Sequence, residues 1–379
     1  MKQMKNHMIF SLKATMRDQM FLLKLINTQQ KMFLILFYIS TCLGMLHRVP
    51  QPRLINRPVN RRQPSLRSTR HSVTRSNLHI HFGADCIPNI ENDFDCGEDA
   101  LDWSLTSRFA SLIIADGIGS TKKPSGSALL SNAIVSYGAE LVQVDALSQT
   151  YYQDMSRLVV DAFQRSTPLP KNLTGATTFT AGIVDLETGV LKTAVLGDSA
   201  ILVIRNNQVA FRTRAVLSTW NTPVQLTYRS ELESQENIKM LQDKVRQTEQ
   251  LSFQLVKGDL IIGSTDGMLD NLHEAEIVDI LESIRVERTA YKVAAVYVPA
   301  YIAHVLAETA SQAAQGVIYK SQRPFYASLD FFRAFCERNL PLGTLSDADR
   351  SAYQRSKMIP SAKLGGKKDD MSVIVGIVE

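Results

Sequence analysis

Histidine and cysteine are both scarce in this 379-residue chain, at seven and four residues. Only His273 and His304 follow His81, and both fall in stretches of helical composition. That leaves too few imidazoles for a Ser–His–Asp hydrolase or a His-rich zinc enzyme. The cysteines, at 42, 86, 96 and 336, form no C-x-x-C pair. This excludes a zinc ribbon or a disulfide scaffold and points to a reducing compartment, with a Cys86–Cys96 bridge as the minor alternative. Neither G-x-S-x-G nor G-x-x-x-x-G-K-[ST] occurs, so the nucleophile-elbow and P-loop readings have no support.

Acidic residues are missing from one end of the chain. None occurs from Gln19 to Ala84, and residues 1–84 carry 14 Lys and Arg against the single acid Asp18. The formal net charge of +5 therefore misleads. The remaining residues hold 28 basic and 36 acidic side chains, a mildly acidic body that argues against nucleic-acid binding. Within the leader, the apolar run Met32–Leu46 is 15 residues long, short of the roughly 20 needed for a membrane span. The Arg-, Ser- and Pro-rich segment 48–76 cannot pack a core. An Arg-rich, Ser-rich, acid-poor leader is the composition of a mitochondrial transit peptide. The alternative is membrane association through residues 32–46. The chain thus divides into a leader, 1–77, and a folded body, 78–379.

The whole chain has 45% apolar and 21% charged residues, ordinary globular values. Stretches rich in β-branched residues predict strands over 108–115, 177–185, 190–197, 200–205, 208–213, 253–256, 259–264 and 371–378. Glu187-Thr188-Gly189 and Asn206-Asn207 read as hairpin loops. Helices are expected over 126–146, 151–165, 273–286, 291–314 and 328–338. Strands in runs joined by short turns indicate antiparallel sheets, and the segregated helices make the fold α+β. The polar segment 229–250 reads as a surface insertion.

The residues that carry chemistry are acids at strand ends. The apolar run Phe109–Ala115 leads straight into Asp116-Gly117-Ile118-Gly119, and Leu260–Thr265 leads into Asp266-Gly267, followed by Asp270. Asp369-Asp370 precedes the last strand, and Glu98-Asp99 lies before the Asp116 strand. An acid at the end of a buried strand is costly unless it is paired or binds a cation. Ligand sets made only of oxygen suit Mg²⁺ or Mn²⁺. Taken one at a time, Asp-Gly is a standard turn signal; the repetition at strand ends is what favours a metal site. Gly197-Asp198-Ser199 reads instead as a structural turn between strands.

Five segments in this order resemble the protein phosphatase 2C (PPM) family: Ala115–Gly119, Gly175–Thr178, Leu196–Ser199, Ser264–Asn271 and Lys368–Ile374. Gly97–Ala100 and Trp220–Leu226 resemble its mitochondrial, Ptc-seven-like branch. The resemblance implies two antiparallel β-sheets packed face to face and flanked by helices, an αββα sandwich. It implies a protein serine/threonine phosphatase acting on phosphorylated proteins through a water activated by two Mn²⁺ or Mg²⁺ ions, with a third, weaker ion as an option. Carried over, Asp116 bridges both ions, and the Gly117 carbonyl binds one of them. Asp266 and Asp369 complete the first ion and Glu98 the second. Asp99 holds the water, and Asp270 matches a third-ion position.

The match departs from the family in four places. The phosphate-gripping Arg expected four residues before Glu98 is Phe94, with Arg108 or Lys122 as candidate substitutes. Ile118 stands where many members have His, as it does in the mitochondrial branch. Ser120 replaces a glycine, and Asn172 sits near where a third-ion Asp is expected. Phe94 and Ser120 open an alternative, a pseudophosphatase that binds phosphoproteins without turnover.

Overall fold

A computed structural model describes residues 78–89, 96–118, 125–167, 169–170, 173–230, 232, 234–291, 298–316, 324–343, 345–358 and 366–379. The leader 1–77 with its run 32–46 lies outside the described residues, as do Phe94, Ser120, Lys122 and Asn172. Among the described residues no helix is long and apolar enough to cross a membrane.

Strands run over β1 (Ile80–Ile87), β2 (Asp99–Leu105), β3 (Phe109–Asp116), β4 (Thr174–Thr177), β5 (Phe179–Asp185), β6 (Val190–Leu196) and β7 (Ala200–Arg205). They continue with β8 (Gln208–Arg212), β9 (Leu217–Thr219), β10 (Thr222–Pro223), β11 (Leu226–Arg229), β12 (Glu249–Gln254), β13 (Leu260–Ser264) and β14 (Met371–Val378). Two five-stranded sheets result, ordered β1-β14-β13-β7-β8 and β12-β6-β5-β3-β2, with every pairing antiparallel. Helices cover α1 (Gly126–Leu141), α2 (Asp145–Gln153), α3 (Met155–Ser166), α4 (Ser234–Val245), α5 (Asp266–Leu269) and α6 (Glu274–Tyr291). Then come α7 (Val298–Ala314), α8 (Pro324–Asn339) and α9 (Asp347–Ser356).

The alternation of side chains along a strand decides the layers. In β3, Ala110, Leu112 and Ile114 join Ile201, Val203, Ile261 and Ile374 in the core between the sheets. Phe109, Ile113 and Ala115 face the other way, onto Ile134, Leu158 and Phe163 of α1 and α3. On the second sheet Leu202, Ile262, Val373 and Val375 pack under Ile302, Leu306 and Ala310 of α7. The result is helix, sheet, sheet, helix. Because β3 is buried on both faces, its sequence is a continuous apolar run and not an alternating one.

Both expected hairpins are present. Asn206 and Asn207 adopt φ of 51° and 58°, the left-handed pair that a two-residue turn between β7 and β8 demands. Gly189, at φ 72°, closes the β5–β6 turn. Three expectations need correction. The stretch 126–146 is broken into α1 and α2 at Val142, whose carbonyl accepts from Ser104 Oγ and Ser148 Oγ. The segment 229–250 is not a surface insertion. Leu241 of α4 is buried in the core, Asn237 Nδ2 donates to Arg229 O, and β12 is an edge strand of a main sheet. Cys86 and Cys96 form a disulfide, contrary to the reading of cysteine scarcity as reduced thiols; Cys336 is free and buried.

Candidate metal centre

The sandwich gathers its acids at one end because antiparallel strands bring distant sequence positions together there. Asp99 opens β2 directly opposite Asp116, the last residue of β3. Asp116 shares the parity of Leu112 and Ile114, so it looks into the layer between the sheets. The β6–β7 connection, where the chain passes from one sheet to the other, carries Asp198. β13 ends at Ser264, paired with Val373 of β14 and Ala200 of β7. That pairing sets Asp266 and Asp270 beside the entry of β14, where Asp369 and Asp370 lie.

Carboxylate oxygens of Asp116, Asp198 and Asp266 all fall within 4.8 Å of one another. Lys367 Nζ lies 3.0 Å from Asp270 Oδ2 and 2.9 Å from Asp369 Oδ2, and it also contacts Asp266 Oδ2. Thr265 Oγ1 donates to Asp99 Oδ2 at 2.9 Å, across the two sheets. The Glu98 carboxylate accepts from Ser125 Oγ. The Glu98 main chain donates to Asp370 Oδ2 at 2.7 Å and accepts from Gly117 N at 3.0 Å. Gly117 has to be glycine, because a Cβ there would stand 2.5 Å from the Glu98 carbonyl oxygen.

The electrostatics report the same convergence. Burial pushes the Asp116 carboxyl well above its ordinary value, and repulsion from Asp266, Asp99, Asp369 and Asp198 adds to it. Asp99 is likewise raised well above the usual range by burial and then by Asp370 and Asp369. Asp198 is pushed up to about 8 by burial and Asp266, with Lys367 opposing. Asp270 is raised to about 6 by burial, again with Lys367 opposing. Asp369 is raised by burial and Asp266. For Lys367, burial works against the charge, but attraction by Asp266, Asp270 and Asp369 outweighs it and holds its pKa well above the ordinary value. Mutual repulsion among buried carboxylates is relieved by protons or by cations.

The donor set fits hard divalent cations. It consists of oxygen alone, and Asp198 Oδ1 is buried with no hydrogen-bond partner among the described residues. Asp198 is the residue that sequence reasoning missed. It does sit in a turn, with Gly197 at φ 121°, but its carboxylate belongs to the cluster. The available signal was a Gly-Asp-Ser at the sheet-crossing end of an apolar strand. Of the expected residues, Asp116 and Asp266 lie in the tight group, with Asp270 and Asp369 adjoining through Lys367. Asp99 stands behind Asp116, and Glu98 and Gly117 flank it through the main chain. Arg108 is excluded as a phosphate grip. It precedes β3 at the opposite end of the strand and pairs with Asp185 at 2.8 Å. A cavity of about 490 Å³ lined by Leu78, Thr188, Gln254 and Lys257 also lies at that far end, away from the acids.

Comparison with known proteins bears on the family and the fold. The protein phosphatase 2C family model matches residues 91–296. Protein phosphatase PTC7 homolog fig of Drosophila virilis is 29% identical over 198 residues, covering 51% of this chain and 61% of that protein. Its Drosophila mojavensis counterpart is 28% identical over 199 residues, 52% and 61% of the two chains. The matched part thus spans about 61% of the length of these relatives. The X-ray structure of the photosystem II phosphatase PBCP superposes with a TM-score of 0.57 over 79% of this chain and 99% of that one, at 22% identity, a likeness of fold alone. A family match across more than half the chain, on a sandwich that converges its acids at one end, places this chain in the protein phosphatase 2C family.

Proposed function

We propose that the protein is a metal-dependent serine/threonine phosphatase that hydrolyses phosphoserine and phosphothreonine in proteins. The observation that carries this reading is the meeting of Asp116, Asp198 and Asp266 within 4.8 Å. Asp116, Asp266 and Asp369 would hold one Mn²⁺ or Mg²⁺ ion, and Asp116, Glu98 and the Gly117 carbonyl a second. When bound, the two ions supply a water of lowered pKa and offset charge on the phosphoryl oxygens. Asp99, opposite Asp116 in the β2–β3 pairing, would hold that water. Thr265 Oγ1 donates to one of the Asp99 oxygens, which fixes the carboxyl group. The Ser125 hydroxyl holds Glu98 in place.

The test is hydrolysis of p-nitrophenyl phosphate and of a phosphothreonine peptide in Mn²⁺ and then in EDTA. Activity is expected only with the metal, with Asp116→Asn and Asp266→Asn each lowering it by about a hundredfold or more. Activity that survives chelation, or that neither substitution lowers, rejects the reading. The acid-poor leader supports delivery to the mitochondrion. Residues 1–84 fused to a fluorescent protein should reach that organelle, and a surface- or reticular-membrane pattern would favour the membrane-anchored alternative.

A further inference from the structure

Two cross-links, one covalent and one hydrogen-bonded, close the same stretch of chain beside the acids. Cys86 lies in β1 directly opposite Ser372 of β14, two residues beyond Asp370. Cys96 stands two residues before Glu98, and its carbonyl accepts from Asp99 N at 3.2 Å. The disulfide between them holds the two Cα atoms 5.4 Å apart. The second link is the Asp370 carboxylate, whose Oδ1 accepts from Asn89 N at 2.6 Å and whose Oδ2 accepts from Glu98 N at 2.7 Å. Gly97 sits between the two links at φ 68°, where a Cβ would run into that carboxylate. Asp370 is also the chain neighbour of Asp369, so the disulfide braces the frame that places both Glu98 and Asp369. Cys86 and Cys96 are each only half-buried, which leaves their bond within reach of a thiol from solvent, whereas Cys336 is buried.

We propose that Cys86 and Cys96 form a thiol–disulfide switch on the metal affinity of the site: closed, the bond holds Glu98 in place for its ion; opened by a small thiol, it loosens Glu98 and weakens that binding. This rests on the divalent-ion reading above and adds its regulation. The step is a two-electron exchange. A thiolate of the reductant attacks one cysteine sulfur, the S–S bond breaks, and a mixed disulfide forms. A second thiolate resolves it, so both cysteines end as protonated thiols and the reductant leaves as its own disulfide. With the bond open, the Asp370 carboxylate alone closes the stretch, and an ion that engages Glu98 has to restore that closure against chain entropy. Among the described residues, the core between the sheets takes none from 86 to 97, so the sandwich stands without the bond.

The experiment compares the full chain in its oxidised form and after treatment with excess glutathione, the thiol being removed under nitrogen before measurement. Alkylation and peptide mass spectrometry report the thiol state, far-ultraviolet circular dichroism the fold, and electron paramagnetic resonance the free Mn²⁺. Reduction is expected to leave the dichroism unchanged and to weaken Mn²⁺ binding by at least about fivefold, with reoxidation restoring it. The double variant Cys86→Ser/Cys96→Ser should bind Mn²⁺ like the reduced wild type, with or without thiol. A smaller change on reduction, a reduced chain that unfolds, a bond that survives glutathione, or a double variant with the oxidised affinity overturns the switch and leaves the divalent-ion reading standing. A chain that binds no Mn²⁺ in either state overturns that reading and this inference with it. If the double variant does not fold, the two states of the wild type decide.

Discussion

Stripping the divalent ions should make the protein less stable as the pH rises from 6 to 8. Asp198 titrates at about 8 in the folded chain, against about 3.9 for an unfolded aspartate. Between those values the native state holds a proton that the unfolded state lacks, so unfolding free energy falls with pH by about 1.4 kcal/mol per unit for that one group. The contribution is fully present below about pH 4 and is lost as the pH passes through 8. Allowing for partial ionisation near 8, the loss between pH 6 and 8 is about 2 kcal/mol from Asp198. Asp99 and Asp116 are raised in the same direction. Asp270, at about 6, has lost most of its contribution by the start of the window. Urea unfolding in EDTA at the two pH values reads this directly, as a midpoint lower by about 1 M at pH 8 for a slope near 2 kcal/mol per M. Saturating Mn²⁺ should flatten the dependence, because ion binding replaces the protons. Asp198→Asn should make the metal-free protein more stable at pH 8 and reduce the slope by about one proton. A metal-free stability that is level or rising from pH 6 to 8 would refute the account of crowded, protonated carboxylates.

Three further substitutions probe the scaffold. Arg205→Met leaves the fully buried Asp259 carboxylate without its bidentate partner at 2.7 and 2.8 Å; unfolding free energy should drop by about 3–5 kcal/mol in urea titration. Cys86→Ser opens a loop of sequence separation 10 and should cost about 2–3 kcal/mol, with the oxidised wild type losing the same amount on reduction. Gly117→Ala places a methyl group against two backbone segments, Glu98 and Ser127. It should cost about 1–3 kcal/mol and weaken Mn²⁺ binding measured by calorimetry.

The central strands and their terminal acids were legible because burial leaves a simple trace. β3, β13 and β14 have both faces covered, so their sequences are largely apolar and the acids that follow β3 and β13 and precede β14 stand out. The edge strands β2 and β12 left no such trace. β2 reads Asp-Ala-Leu-Asp-Trp-Ser-Leu, and β12, with every second residue exposed, reads as polar chain. The expected strand at 253–256 caught only the end of β12. Asp198 escaped because Gly-Asp-Ser has turn chemistry whatever its surroundings. Only the crossing between sheets, a long-range feature, shows that its carboxylate points inward. The disulfide was discounted on composition, but the two cysteines are brought together by β1 ending beside β14 while β2 starts beside β3.

β14 lies between β1 and β13, yet it follows both of them in the chain. Until it is in place, β1 and β13 each lack a neighbour, and the Glu98 amide lacks the Asp370 oxygen that anchors it from 272 positions away. Half of the sandwich is thus committed to a late insertion, the kind of distant pairing that slows folding. The acids carried by the early strands are gathered only when β14 takes its place between β1 and β13.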